Sequence, residues 1–511
     1  MPSSTMQPVV CEPAASWRRP FDAWLDGVEA GWAIPAFLVV FIVVWVAILQ
    51  LAYLSGDLHP DVVEAWSTGR TLAWGSAKHP PLTGWIARAW TTVFPVADWS
   101  FHLLAMINAA VALWSVDLIA RRFVRGDKRA IVLLLLLLLP VYQFHAQRFN
   151  ANSVLFALWP LAVYCFLRSF ETRQFSWAVA AGIFGGLCVL GKYYSAFLIV
   201  GFAVAAICHP LRRVYFMSAA PWVSTAVGVV LLAPHVHWLV TSGVTPFDYA
   251  LEAHGGLAMS AAVKASGIFL LGVAATLALP LLVWGLLARS RLARYRQDLR
   301  AMDPGLWLLA LIAVATIAVP PVATIALKSA ITTTWAAQGL FLVIVVAVGA
   351  SSFPIERIEI DRLVALILGV TCLTLACAPL HAVYRNSHPF KEGRNYYRLA
   401  AQELTRRWRT VSTVPLAATG GQELSRALSF YGADHPVFAI PDDWKMPPQA
   451  VLRNGWATIC LQDETTCLAW SKMVASVAKG AMVFDFTVQP KLWGWPGVPA
   501  RISAVMVPPR P

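Results

Sequence analysis

Charged residues are scarce in this sequence. Asp, Glu, Lys and Arg together make up 13% of the 511 residues, whereas soluble globular domains carry about 25%. A surface this poor in charge would aggregate in water, and intrinsic disorder needs a chain that is both highly charged and weakly hydrophobic. The composition therefore excludes a soluble enzyme and a disordered protein.

Cysteine is also sparse, with eight residues and no spacing typical of metal ligands. Most of these cysteines lie in apolar stretches, where cysteine behaves as a small hydrophobic residue. Cys460 and Cys467 are different, because they lie in a polar C-terminal segment with six residues between them. If that segment faces an oxidising compartment, the two thiols can form a disulfide. The spacing alone leaves both the bonded and the free forms open.

What the chain has in abundance is long apolar runs: 58% of its residues are hydrophobic, and 23 are Trp. Runs of this length and low charge predict membrane spans. The eleven predicted spans are about 33–54, 100–120, 129–144, 151–168, 176–191, 194–209, 216–240, 264–288, 304–327, 332–353 and 360–384. The first follows a basic segment and lacks a small-residue cleavage site, which predicts an uncleaved signal anchor.

The distribution of Lys and Arg predicts the orientation of these spans. With residues 1–32 placed in the cytoplasm, 18 of the 25 Lys and Arg before residue 385 fall on the cytoplasmic side and seven on the other. This asymmetry follows the positive-inside rule. Eleven spans then make 33–384 a transmembrane domain of the inner membrane and place 385–511 in the periplasm.

The segment 385–511 has the composition of a separate soluble domain, since it holds 15 of the 40 basic residues. Short β-like runs at 414–418, 437–440, 457–460 and 481–486 alternate with an amphipathic stretch at 393–409. This alternation predicts a small α/β domain.

The loop after the first span carries the polar residues that the spans lack. Apolar positions between Asp61 and Trp74, and again from Leu82 to Val93, predict two helices that lie in the membrane interface. The alternative is a re-entrant cap without chemistry. Asp61 precedes the sequence His79-Pro80-Pro81-Leu82 by 18 positions.

An acidic residue after the first span, then a Gly and His-Pro-Pro-Leu, resembles the first outer loop of the protein O-mannosyltransferase superfamily. That superfamily includes the bacterial transferases that add aminoarabinose or galacturonate to lipid A. Trp66 and Gly75 match the aromatic residue and the Gly of that loop, but Val62 replaces the usual second acid. Weaker matches follow at 148–152, 191–194, Thr334-Trp335 and Phe430-Tyr431.

The resemblance implies the GT-C fold and an inverting glycosyltransferase. Such an enzyme moves a sugar from a polyprenyl-phosphate carrier to an acceptor on the outer face, either an envelope glycolipid of the lipid A type or a protein. The fold expected is therefore an all-α polytopic membrane domain of about eleven helices, with interfacial helices in the first outer loop, plus the small C-terminal α/β domain. The donor is the expected cosubstrate, and no nucleic acid is expected.

The reaction needs a base for the acceptor hydroxyl, and the resemblance assigns this role to Asp61. The alternative role is structural, because an Asp before an amphipathic stretch is a good N-cap. Glu64 lies one helical turn further on, on the same face, and is a reserve helper.

The departing phosphate needs positive charge or hydrogen-bond donors, and the candidates are Lys192, His79, Arg148 and Lys78. Each also has an alternative role that involves no substrate. Lys192 can extend its side chain to the membrane interface, and His79 can be structural in a Pro-rich turn. Arg148 can simply flank a span, and Lys78 can be a solvated surface charge.

The second outer loop departs from the family, which often has a carboxylate there. This chain has Asn150 and Asn152 instead, and an amide can hold a hydroxyl or a sugar but cannot act as a base. Asn152 is therefore a candidate substrate-binding residue. A metal bridging two acids is not indicated.

The sequence leaves two other classes of function open. A transporter or flippase of lipid-linked sugars would be equally polytopic, but it should carry polar residues along several spans, and here the spans are almost purely apolar. A receptor or scaffold would leave the polar first loop unexplained.

Overall fold

Helices dominate the computed structural model, which describes residues 19–243, 246–390, 394–440 and 446–510. The helices are α1 (Arg19–Ala30), α2 (Ala33–Ala52), α3 (Pro60–Gly69), α4 (Leu82–Trp90), α5 (Asp98–Ala120), α6 (Asp127–Leu136), α7 (Ser153–Thr172), α8 (Phe175–Gly191), α9 (Ala196–Cys208), α10 (Arg212–Phe216), α11 (Ala220–Thr241), α12 (Pro246–His254), α13 (Met259–Ala288), α14 (Leu292–Arg300), α15 (Pro304–Leu327), α16 (Phe341–Gly349), α17 (Arg357–Ser387), α18 (Tyr397–Val411), α19 (Glu423–Tyr431), α20 (Gln449–Arg453) and α21 (Thr465–Val477). The strands are β1 (Ala418–Gly420), β2 (Val437–Ile440), β3 (Trp456–Leu461), β4 (Met482–Val488), β5 (Lys491–Leu492), β6 (Trp495–Pro496) and β7 (Ala500–Val507).

Seven helices within the described ranges are long and apolar enough to cross a membrane: α2, α5, α7, α11, α13 together with α14, α15 and α17. Each corresponds to a predicted span. The other four predicted spans are occupied by shorter helices. The predicted pair at 176–209 consists of α8 and α9, joined through Lys192 and a short 3₁₀ turn at Tyr193–Ser195.

The predicted spans 129–144 and 332–353 are interrupted helices, and the number of spans stays a prediction. In the first, α6 ends at Leu136, and a π-helical turn at Val141–His145 follows Pro140. Because Pro has no N–H and disfavours the helical conformation of the residue before it, Pro140 favours a break in the helix here. In the second, the 3₁₀ turns Thr333–Trp335 and Ala337–Gly339 precede α16.

The C-terminal domain is built around a five-stranded sheet of order β2-β1-β3-β7-β4. β1 pairs parallel with β2 and β3, whereas β7 pairs antiparallel with β3 and β4. Helices α18 and α19 bury their apolar residues against one face, and α20 and α21 cover the other. Cys460 at the end of β3 is bonded to Cys467 in the first turn of α21.

The predicted fold class, a polytopic helical domain followed by a small α/β domain, is confirmed. The two helices predicted in the first loop are α3 and α4. This loop, residues 53–97, lies against the C-terminal domain, since α3 packs on α19. The first loop therefore lies between the long helices, where α4 contacts α8, and the sheet domain.

Candidate active site

Helix α3 begins at Pro60, directly after His59, and carries Asp61 in its first turn. Proline is favoured at the first position of a helix because its missing N–H needs no partner there. The N-cap is His59, whose Nδ1 accepts the Asp61 backbone N–H at 3.3 Å. The alternative role of Asp61 as the helix cap is therefore wrong, and its carboxylate is free for other contacts.

The protonation of His59 follows from the same contacts. Its Nδ1 lies 3.6 Å from Asp61 Oδ2. Burial, opposed by Asp61 and assisted by the nearby Arg148, Arg394 and Arg385, lowers the pKa of His59 to about 4. The ring is therefore neutral at pH 7, and this contact is not an ion pair.

Helices α3 and α4 cross at two glycines. A Cβ placed on Gly69 would lie 2.1 Å from the carbonyl oxygen of Gly84. Only glycine permits an approach this close. The crossing fixes the angle between the two short helices and leaves a cavity beside them.

This cavity has a volume of about 160 Å³. It is bounded by α3, by the Pro-rich turn before α4, and by the segment that precedes α7. Among the predicted site residues, Asp61, Glu64, Lys78, His79 and Asn152 line it. Asn150, Gly75 and Trp85 complete part of its wall.

The carboxylate of Asp61 is oriented by Asn150. The Asn150 side-chain amide donates to Asp61 Oδ2 at 2.9 Å. The amide oxygen of Asn150 accepts the backbone N–H groups of Asn152 and Ser153, both at 2.9 Å, which fixes which end of the amide points to Asp61. The Asp61 side chain remains 45% exposed and can meet a ligand in the cavity.

Asn152, two residues after Asn150, binds the side chain of Lys192. Its Nζ donates to Asn152 Oδ1 at 2.5 Å and lies 4.6 Å from the ring centre of Trp335. Burial lowers the pKa of Lys192 to about 8, and Asp61 opposes that shift. The side chain is therefore mostly an ammonium at neutral pH, and Asn152 uses one of its three donors.

Glu64 carries a different set of contacts. Its Oε1 lies 3.4 Å from Lys78 Nζ and 3.2 Å from a guanidinium nitrogen of Arg426 in α19. Glu64 and Arg426 are both largely buried, with side-chain exposures of 15% and 7%. Two cations thus neutralise this carboxylate, whereas Asp61 has an amide as its partner.

His79 closes the Pro-rich turn. Its backbone N–H donates to Ser76 Oγ at 3.0 Å, and its carbonyl oxygen accepts the Ser76 N–H at 3.0 Å. Burial lowers the pKa of His79 to about 4, with Lys192 and Lys78 among the further causes. The ring is therefore neutral and can offer a hydrogen bond to an anion, but no charge.

Arg148 does not line this cavity. Its Nε is buried and has no hydrogen-bond partner among the residues that the structure describes. Its charge helps to lower the pKa of His59, the N-cap of α3, and of His145.

Sequence reasoning missed three residues of this site as partners: His59, Asn150 and Arg426. The sequence His59-Pro60-Asp61 does carry a signal for a helix start, because Pro at the first position of a helix is preferred. The sequence suggests Asn150 as a ligand for a hydroxyl or a sugar, but not as the partner of Asp61. Nothing near Arg426 in the sequence indicates that it reaches Glu64. Within the described ranges, no three His, Cys, Asp or Glu side chains gather closely enough to hold a metal ion.

Long apolar helices, a first loop that encloses a polar cavity and a small C-terminal sheet domain define a multi-pass membrane protein with the GT-C fold. Two structures of ArnT from Cupriavidus metallidurans, one bound to undecaprenyl phosphate and one in the apo state, share this fold, with TM-scores of 0.58 and 0.56. In both comparisons the identity is 13%, and the match covers 92% of this chain and 98% of the other.

The sequence comparisons find similarity to glycosyltransferases. Residues 78–238 match the family described as dolichyl-phosphate-mannose-protein mannosyltransferase. The chain is 24% identical over 193 residues to the lipid A galacturonosyltransferase RgtD of Rhizobium johnstonii, and 29% identical over 209 residues to the lipopolysaccharide core galacturonosyltransferase RgtB of the same organism. These matches cover 37% and 40% of this chain, and the chain spans about 40% of the length of these relatives. The resemblance drawn from the first loop is confirmed.

Proposed function

We propose that this protein is an inverting glycosyltransferase that moves a sugar from a polyprenyl-phosphate carrier to an envelope glycolipid. The observation that carries the proposal is the pairing at the start of α7, where Asn150 holds the Asp61 carboxylate and Asn152 holds the Lys192 ammonium. One short segment thus brings a base and a cation together, and transfer from a lipid phosphate needs both.

In the proposed reaction, Asp61 accepts the proton of an acceptor hydroxyl as the hydroxyl oxygen attacks the anomeric carbon. The bond between that carbon and the phosphate oxygen breaks, and the electron pair leaves with the carrier phosphate. The Lys192 ammonium stabilises the charge that develops there, and the neutral His79 ring can donate a hydrogen bond to it. A single displacement inverts the anomeric centre.

An apolar groove supports a lipid carrier as the donor. It has a volume of about 540 Å³ and is lined by residues of α8, α9 and α11, among them Gly182, Gly185 and Gly186 of α8. Gly182 and Gly186 let α11 pack closely on α8, since a Cβ on either would meet α11 atoms within 2.8 Å. The apolar wall of the groove beside this contact suits an isoprenoid chain. Because Lys192 joins α8 to α9, a chain in this groove leads towards the residue that binds the phosphate in the proposal.

The sugar and acceptor classes are inferred from the relatives. Both named Rhizobium relatives are galacturonosyltransferases, and their acceptors are lipid A and the lipopolysaccharide core. We therefore propose a uronic acid as the transferred sugar and a lipid A or core saccharide as the acceptor. We also propose that the cavity and the C-terminal domain lie on the periplasmic side of the inner membrane, which the distribution of Lys and Arg supports. In the proposed reaction, the positive charge of Arg148 acts on the start of α3, where it favours the neutral form of His59.

Mass spectrometry of envelope glycolipids tests this function. Three strains are compared: one without the gene, one with the wild-type gene restored, and one with Asp61→Asn restored at matched protein level. The proposal expects one sugar mass to disappear on deletion, to return with the wild type and to stay absent with Asp61→Asn. Unchanged glycolipids after deletion would contradict a glycolipid acceptor and favour a protein acceptor or a transporter.

A further inference from the structure

Helix α19 of the C-terminal domain contacts α3, or the residues that lead into it, at three points. Tyr431 accepts a hydrogen bond from the backbone N–H of Leu58 at 2.8 Å. Phe430 packs edge to face on Trp66, with ring centres 5.5 Å apart. Arg426 pairs with Glu64 at 3.2 Å.

We propose that Arg398, Tyr431 and Arg426 of the C-terminal domain are positioning residues that hold α3, and with it Asp61, at the distance from the substrate that transfer requires. The proposal rests on the proposed function, because it assigns these residues a role in that reaction. None of the three touches the substrate in this account, so each acts through the position of α3.

Arg398 contacts Asp57, which precedes Asp61 by only a few residues. Asp57 is buried, with 4% of its surface exposed. Its carboxylate accepts the backbone N–H of Arg398 at 3.0 Å and lies 3.3 Å from the Arg398 guanidinium. The same guanidinium pairs with Asp98 at the start of α5. Arg398 thus ties the first loop to a long helix as well as to the C-terminal domain.

Tyr431 forms a hydrogen bond with the backbone of Leu58, the residue after Asp57. Its hydroxyl oxygen accepts the Leu58 N–H at 2.8 Å. A buried backbone N–H that loses its acceptor is costly, so this bond fixes the chain where it turns into α3.

The contact between Arg426 and Glu64 lies one helical turn beyond Asp61. Removal of Arg426 would leave the buried Glu64 with Lys78 as its remaining cation. Loss of one partner of a buried ion pair is strongly unfavourable because the other charge stays buried. Glu64, and α3 with it, is then expected to move. Displacement of a catalytic group by about 1 Å can cost on the order of 10²-fold in rate.

The experiment uses the full-length purified protein with Tyr431→Phe, Arg398→Gln and Arg426→Gln. Matched controls within the C-terminal domain are Tyr397→Phe, which removes a bond to Glu423, and Arg406→Gln, which removes a local pair with Glu403. For the three variants we expect kcat to fall at least about tenfold with little change in KM for the donor. For the two controls we expect kcat to stay within about twofold. Arg426→Lys, which keeps the charge, should recover part of the loss.

Hydrogen exchange provides a readout that does not depend on activity. Tyr431→Phe should speed exchange at the amides of Leu58 and of the first turn of α3, and leave the central sheet strands protected. If the wild type transfers no sugar, the proposed function fails. The hydrogen-exchange measurement still tests whether Tyr431 fixes the position of α3. An unchanged kcat, or faster exchange throughout the C-terminal domain, would overturn the positioning role.

Discussion

Asn150 and Asn152 lie two residues apart and hold opposite charges at the same site. The first donates to Asp61 at 2.9 Å, and the second accepts from Lys192 at 2.5 Å. The residue between them, Ala151, lines the cavity. The spacing between the proposed base and the proposed phosphate ligand is therefore set by a single short segment, and each asparagine can be tested separately.

Replacing Asn150 should affect the chemical step. Asn150→Ala removes the donor that orients Asp61, so we expect a lower kcat and an unchanged KM for the donor. Asn150→Asp places a second carboxylate beside Asp61, and like charges raise the pKa of a carboxyl group. The acidic limb of the profile of kcat against pH should therefore move to higher pH. A profile that superposes on the wild type would contradict the contact between these two residues.

Replacing Lys192 should affect donor binding and its pH dependence. The pKa of Lys192 is lowered to about 8, so its ammonium loses a proton as pH rises through that value. KM for the donor is then expected to rise above pH 8 in the wild type. In Lys192→Arg, which stays charged, KM should remain flat, and Lys192→Gln should weaken transfer on the order of 10²-fold at all pH values. Equal pH dependence in the wild type and Lys192→Arg would exclude the phosphate role.

The crossing of α3 and α4 predicts a stability effect. Gly69→Ala forces a Cβ against the Gly84 carbonyl, and we expect it to lower the free energy of unfolding by about 1–3 kcal/mol. Gly285→Ala in α13 is the matched control, because no atom lies within 4 Å of the added Cβ. That variant should be neutral or slightly stabilising, since alanine favours a helix over glycine. Thermal unfolding in detergent measures both, and equal Tm values for the two variants would show that the crossing is not tight.

Much of the architecture could be predicted because it depends on local patterns. Apolar runs located the seven long helices to within a few residues, and the β-like run at 437–440 coincides with β2. The run at 414–418 was placed too early, since β1 is Ala418–Gly420. Strand β7, which pairs with both β3 and β4, was not predicted. Its position in the sheet depends on pairing with strands that are distant in the sequence, and local sequence patterns do not predict such pairing.

The candidate site divides along the same line. The residue types in the first loop indicated Asp61, Lys78 and His79, and the structure brings them to one cavity. The partner of Asp61 is 89 residues away in the chain, and the acceptor for the Leu58 amide is 373 residues away. Contacts over such separations follow from the packing of whole helices and domains, so a single sequence does not reveal them.

The most direct test of the account is transfer by purified protein in lipid vesicles. The substrates are a polyprenyl-phosphate-linked uronic acid and lipid A, and the variants are Asp61→Asn and, as a control, Asp485→Asn on the exposed side of β4. The account predicts a uronic acid added to lipid A with an inverted anomeric centre, a rate on the order of 10²–10⁴-fold lower with Asp61→Asn, and an unchanged rate with Asp485→Asn. Full activity of Asp61→Asn, or a product that retains the donor's anomeric configuration, would contradict it.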